Sequence, residues 1–494
     1  MRIPALVAAG LAVVLFASPA GAAVGAPGAP GIGDSYYPLD GNGGYDVSHY
    51  DIRLSYQPAT DLLSGTTTIL ARTTQDLSSF NLDFLLKVQS VRVNNIPADF
   101  RTDGGELTVT PRSELPKDRD LTVVVRYSDT PEPYRLYGNP SWLRTPTGAV
   151  AANGPEIAPW WFPSNNTPRD KATFDVSIAV PPGVEALSNG MIVSVTQTTP
   201  NWVRWNWRTV SQEAPYLAML AVGQYDLRLD ILPNGQQFLT GYGDDLGANG
   251  PAARASVERT PEIIETLEQW FGPYPFEAQG GIVVDSPIGY AMETQTRPVY
   301  DGGFFLQGTN TSVVAHELAH QWFGDSVSVD EWRNVWLNEG FATYAEFLWS
   351  EYQGEGTAAE LARFRYDDVP ADDEFWQVMP GDPGVPNQFH RAIYYRGAMG
   401  LQALRATVGD DAFFEILRTW TAEHKDGTAT IDQFIALAEG VSGQQLDDLF
   451  TTWLYTKGKP PVGPDGAAAA RGAAAKPRSY DQIVRTTDLL AKAE

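Results

Sequence analysis

From about residue 45 to residue 230 the chain alternates apolar and polar positions with period two. Tyr50, Ile52, Leu54 and Tyr56 form one run, and Leu121, Val123, Val125 and Tyr127 another. Phe174, Val176, Ile178 and Val180 repeat the pattern, as do Val203, Trp205 and Trp207. Alternation puts every second side chain on one face of a strand. Clusters of Gly, Pro, Asn and Asp separate the runs, so residues 45–230 are predicted to form an antiparallel β domain. No repeat of fixed period points to a propeller or solenoid. After about residue 230 the spacing becomes helical. Helices are predicted over 252–271, 310–323, 338–352, 394–407, 410–423, 430–440 and 444–456, with a short strand at Ile282-Val283-Val284. Residues 231–457 therefore read as a second, mixed domain.

The flanks differ in composition. Residues 23–44 are rich in Gly, Ala and Pro and read as a flexible linker. Residues 458–494 are Ala/Gly/Pro-rich and read as a low-complexity, mostly disordered tail with a short helix near 479–493. Residues 1–22 read as a secretory signal: Arg2 gives a positive start, Ala5 to Ala17 an apolar run too short to span a bilayer, and Ala20-Gly21-Ala22 a cleavage site. No other apolar stretch has membrane-spanning length. The expectation is a secreted, extracellular protein with no stable membrane insertion after signal cleavage.

The chain has no cysteine, which excludes disulfides, thiolate metal ligands and cysteine nucleophiles. Its net charge of −25 argues against nucleic acid as a partner. Oligomeric state is not legible.

The candidate chemistry lies in the predicted helix 310–323, which carries His316-Glu317-Leu318-Ala319-His320. Four residues of helix separate the histidines by about 6 Å along one face, close enough for both imidazoles to reach one metal ion. Glu317 sits beside them as a base for a water that the metal activates. Glu339, in Asn338-Glu339-Gly340, offers a third ligand from a second helix. Two His and one Glu leave a tetrahedral position open, the pattern of a catalytic zinc site with one Zn2+ per chain. With only 5 His in 494 residues, a chance match is improbable. Thr309-Asn310-Thr311 offers N-caps, and Gly324 a stop. His49, His390 and His424 match no metal spacing. Asp325 and Glu346 are candidate acceptors behind the ligating imidazoles.

The longer stretches His316 to Asp325 and Trp336 to Ala342 resemble the gluzincin aminopeptidase family of aminopeptidase N and leukotriene hydrolase, in a short secreted bacterial form. Phe271-Gly272-Pro273-Tyr274-Pro275-Phe276, Gly289-Tyr290-Ala291-Met292-Glu293-Thr294, Lys171-Ala172-Thr173-Phe174 and Tyr394-Tyr395-Arg396-Gly397-Ala398 agree, in the family's order. The resemblance covers roughly residues 45–457. It implies a thermolysin-like α+β zinc peptidase domain behind the β domain. It also implies that Tyr394 donates to the oxyanion, with Tyr395 as the adjacent alternative, and that Arg396 stands where Lys is more common. Glu293 is implied to anchor the substrate ammonium, with the backbone of Gly289, Tyr290, Ala291 and Met292 alongside the substrate. Thr294 replaces the usual Asn. Glu156, in Gly154-Pro155-Glu156, is a second amine-binding candidate, although Gly154 stands where a Gln is expected. Many relatives carry a further helical domain; with only residues 458–494 following here, a less enclosed cleft is expected.

The reading is thus a secreted zinc aminopeptidase acting on peptides with a free amino terminus. Its alternatives are a gluzincin endopeptidase, a leukotriene-hydrolase-like enzyme, or a silent binding scaffold. An intact Glu293 argues against the first, and the complete set of five catalytic and metal residues against the last.

Overall fold

The computed structural model describes residues 25–284, 288–467 and 475–491. The segment read as a secretory signal lies outside them.

The alternating runs become strands of an 11-stranded sheet. Tyr45–Gln57 pairs antiparallel with Leu62–Thr73 and parallel with Ala172–Val180. Tyr50, Ile52, Leu54 and Tyr56 are all buried, as the alternation requires. Tyr50 stacks on Phe174 across the parallel pair, with ring centroids 4.9 Å apart. The sheet is thus mixed, not purely antiparallel: the two parallel strands are far apart in sequence, as such pairing demands. A smaller sheet of 4 strands (Trp142–Arg144, Ala149–Ala151, Glu185–Leu187 and Leu220–Gly223) completes the first domain.

A 5-stranded sheet opens the second domain, in the order Tyr225–Ile231, Gln237–Gly243, Ala278–Val284, Val299–Asp301, Ala291–Met292. Because Tyr225–Ile231 bonds into this sheet, the junction falls just before Tyr225, earlier than the predicted boundary at 230. Helices then pack together: α1 (Thr311–Ala319), α2 (Trp336–Gln353) and α3 (Arg391–Val408) carry the candidate site. The helix expected over 252–271 is two, Gly250–Val257 and Thr260–Phe271. Pro261 lacks an N–H and starts the second. One helix was not anticipated, Ala358–Asp368, although Thr357 and Glu360 form a capping box at its start.

Two expectations about the flanks are corrected. Residues 25–44 are not a flexible linker. Ala26–Pro27 pairs with Leu77–Asp83, and the buried Asp34 carboxylate accepts from the backbone N–H groups of Tyr36, Tyr37 and Trp332 at 2.8, 3.1 and 2.8 Å. The tail is not mostly disordered. Helix α4 (Tyr480–Leu490) buries Tyr480, Ile483, Thr486, Thr487 and Leu490 along one stripe. Composition misreads both segments because much of what holds them is remote in sequence, such as Trp332 for Asp34 and Asn310 for Thr486. Among the described residues, no helix is long and apolar enough to cross a membrane.

Candidate active site

Helix α1 starts at Asn310, whose side chain accepts from the N–H of Val313 at 3.3 Å. It ends at Ala319, with His320 as its cap residue, one turn earlier than Gly324 suggested. His316 and His320 project from it with ring centroids 4.9 Å apart. Glu339, in the first turn of α2, brings Oε2 to 3.2 Å from Nε2 of His316 and 3.4 Å from Nε2 of His320. Among the described residues these three form the one group of its kind able to hold a metal ion, with ligand atoms within 4.8 Å of one another.

The far side of each ring fixes its tautomer. Nδ1 of His316 donates to Oε1 of Glu346 at 2.9 Å, and Nδ1 of His320 donates to the carbonyl of Phe323 at 3.0 Å. Both neutral rings therefore aim an Nε2 lone pair at the Glu339 carboxylate, so three electron pairs converge on one point. A cation satisfies that arrangement, and nitrogen, nitrogen and carboxylate oxygen suit zinc. Glu346 is thus the acceptor behind His316, and Asp325 takes no part. Electrostatics agree with a positive centre. Against the cost of burial, the Glu339 and Glu346 carboxylates favour positive charge on the His316 side of the triad, the charge that a metal ion would supply in place of a proton. The two imidazoles, against the same cost, hold Glu339 down to about 2. Burial pushes Glu317 up to about 8.

Glycines bring α2, which carries Glu339, against α3. A Cβ on Gly340 would lie 3.3 Å from the Gly397 Cα, and one on either glycine would run into the Trp336 ring. This contact lets α3 press against α2 and sets Tyr394 over the metal triad, its ring stacked on His316 at 5.9 Å. Arg396 faces the other way. Its buried guanidinium donates to the carbonyls of Trp376, Val378, Thr452, Trp453 and Thr456, bonds that a lysine's three N–H groups cannot all supply.

Glu293 follows Ala291–Met292, the edge strand of the 5-stranded sheet. The strand is held by Gly289, whose φ of +84° turns the chain and whose N–H donates to Asp301 at 2.8 Å. The Tyr290 hydroxyl donates to the Ala152 carbonyl of the β domain at 2.6 Å. Tyr290, Ala291, Met292 and Glu293 line a cavity of about 570 Å³ that also takes in His316, Glu317, His320, Glu339 and Tyr394. Gly289 does not line it; its role is the turn. Burial raises the Glu293 carboxyl, and among the described residues no Lys or Arg pairs with it.

Glu156 is placed elsewhere. Gly154 and Pro155 reach the cavity, but the Glu156 side chain turns away and accepts from Asn166 at 2.8 Å. There it joins a buried acidic group: Asp40 accepts from the Tyr137 hydroxyl at 2.9 Å, and Asp83 from Asn42 at 2.9 Å and the Asn166 N–H at 2.7 Å. Its expected part in amine binding is therefore not supported. The Lys171 stretch ties the domains together, Nζ donating to the carbonyls of Asp325 and Ser326 at 2.8 and 2.9 Å. The cavity also holds residues that no motif marked. Tyr36 and Tyr37 come from the N-terminal strap, Gln388 and Phe389 from the loop before α3, and Leu490 from α4.

Comparison with known proteins agrees with this geometry. The Peptidase M1 N-terminal domain profile matches residues 47–217, and the Peptidase family M1 domain profile matches residues 255–453. The chain belongs to peptidase family M1. Among the family's members it is 27% identical to aminopeptidase N of Lactococcus lactis subsp. lactis over 76% of this chain and 47% of that one. It is 28% identical to aminopeptidase M1 of Arabidopsis thaliana over 64% of this chain and 37% of the relative. The chain spans about a third to a half of the length of the curated relatives it matches. The crystal structure of an M1 zinc metallopeptidase from Deinococcus radiodurans superposes with a TM-score of 0.78 at 27% identity, covering 90% of this chain and all of that one. A variant from that organism, bound to a Tyr-Ser-Ala substrate, gives 0.76 at 27% identity over 87% and 99% of the two chains.

Proposed function

We propose that this chain is a secreted zinc aminopeptidase that removes the first residue from peptides with a free amino terminus. One observation carries the restriction to amino termini. Glu293, a carboxylate that no Lys or Arg among the described residues pairs with, shares a cavity with the metal triad and stands at the end of an edge strand. A carboxylate there takes a substrate ammonium, and the unpaired edge takes the substrate backbone.

His316, His320 and Glu339 would hold the zinc, which would supply Lewis acidity toward the scissile carbonyl and the attacking water. Glu317 takes the proton of that water and passes it to the leaving amine. Burial raises its carboxyl, which makes it a stronger base than an exposed carboxylate. Tyr394 donates its hydroxyl to the oxyanion, held in place by its stacking on His316. Glu293 fixes the amino terminus, so that only the first peptide bond lies beside Glu317.

The experiment is hydrolysis of aminoacyl-anilides with and without a chelator. Activity lost on chelation and restored by zinc supports the reading; activity indifferent to chelation ends it. Secretion rests on residues 1–22 and is tested by sequencing the amino terminus of the exported protein, expected to begin at Ala23.

A further inference from the structure

Helix α1 acts as a ruler across the active site. At its C-terminal end Gln321, just past His320, donates from Nε2 to the Glu293 carbonyl at 2.9 Å. At its N-terminal end the Asn310 cap donates from Nδ2 to Oγ1 of Thr486 in α4 at 3.0 Å. Gln482 of α4 donates to the neighbouring Thr309 carbonyl at 2.7 Å. The nine residues of α1, about 14 Å at 1.5 Å per residue, lie between these two grips. His316 and the Tyr394 ring stacked on it lie between them. Helix α4 also grips the oxyanion helix, because the Tyr395 hydroxyl donates to the Ile483 carbonyl at 3.2 Å.

A substrate whose ammonium sits on Glu293 therefore runs from the His320 end of the ruler toward its Asn310 end. Residues beyond the cleaved bond meet the α4 side. The α4 residue that reaches the cavity is Leu490, a buried side chain on the same stripe as Ile483 and Thr486.

The geometry points to Leu490 as a specificity-determining residue for the leaving group, an apolar wall supplied by the C-terminal helix against the side chain that follows the cleaved bond. This inference rests on the aminopeptidase reading above. It predicts a preference for apolar over charged residues at the second position of the peptide. Leu490 limits the size accepted there.

The test uses the full chain and a set of peptides sharing one first residue, with Gly, Leu, Phe or Asp second. Leu490→Ala is expected to raise the Phe-to-Gly ratio of kcat/KM by about 10-fold, the usual worth of a few methylene groups in a pocket. Leu490→Phe is expected to lower it, and it keeps the helix packed should the smaller variant lose stability. Arg485→Ala, an exposed change on the same helix, is expected to leave the ratio at its native value. Zinc content and Tm report whether the site survives each change. Ratios that stay within twofold of native in both Leu490 variants, with zinc retained, overturn the inference while leaving the aminopeptidase reading intact. A native chain with no activity on any free-amine peptide overturns both.

Discussion

Gln321 holds the backbone of Glu293 from the metal helix: Nε2 donates to the Glu293 carbonyl at 2.9 Å, and Oε1 accepts from the Thr296 N–H at 2.7 Å. One side chain thus couples the backbone beside His320 to that of Glu293, the proposed amine anchor, and sets how far Glu293 stands from the metal triad. Thr296 is bent to a φ of +68° to meet it, a conformation uncommon outside glycine.

Gln321→Ala removes both bonds and leaves every ligand in place. The expected result is a kcat/KM lower by about 10- to 100-fold with zinc still bound, the usual range for a group behind a metal site. Metal analysis beside steady-state kinetics checks it.

Glu317 and the ligands separate cleanly. Glu317→Gln keeps His316, His320 and Glu339, so zinc should stay while turnover falls by several orders of magnitude. His316→Ala should lose metal and activity together. Full activity in the first variant, or stoichiometric zinc in the second, would remove the residue from its assigned part.

The two adjacent tyrosines stand in different surroundings. Tyr394 lines the cavity, whereas the Tyr395 hydroxyl is committed to Ile483 and its ring lies under Arg365 at 4.3 Å. Tyr394→Phe should lower kcat by about 100- to 1,000-fold with little change in KM. Tyr395→Phe should lower Tm and largely spare kcat. The opposite pattern would reverse the assignment.

The buried acids of the β domain set a pH dependence of stability. Burial pushes Asp40 up to about 6 and Asp170 up to about 7, and raises Glu156 well above its usual value. A carboxyl raised in the folded state holds a proton that the unfolded chain has released. Stability from these groups is therefore full below about pH 4 and lost as pH rises toward about 7. Thermal melts should show Tm falling across that window, and Glu156→Gln should flatten the fall. A Tm from these groups that rises with pH contradicts the assignment.

Much of this was legible in the sequence for a local reason. The strands declare themselves because one face of each is buried, so Tyr50 to Tyr56 must alternate. The metal triad declares itself because helix geometry fixes the spacing of His316 and His320. What stayed hidden depends on distant partners. Asp34 ties its strap to the catalytic domain only through Trp332, and Leu490 gains its meaning from a cavity built around residue 316. Glu156 was misplaced for a different reason: its neighbours in sequence, Gly154 and Pro155, reach the cavity, but its carboxyl turns away and accepts from Asn166, ten residues on.

The central claim is that Glu293 reads a free ammonium beside the zinc site. Losing one partner of such a pair costs about 2–5 kcal/mol. The direct measurement compares one peptide with a free and with an acetylated amino terminus, using the native chain and Glu293→Ala. The account predicts that the native chain cleaves the free peptide and leaves the acetylated one almost untouched. The variant should lose most activity on the free peptide and narrow the gap between the two. Efficient cleavage of the acetylated peptide by the native chain would contradict the account, even with zinc bound and Glu317 in place.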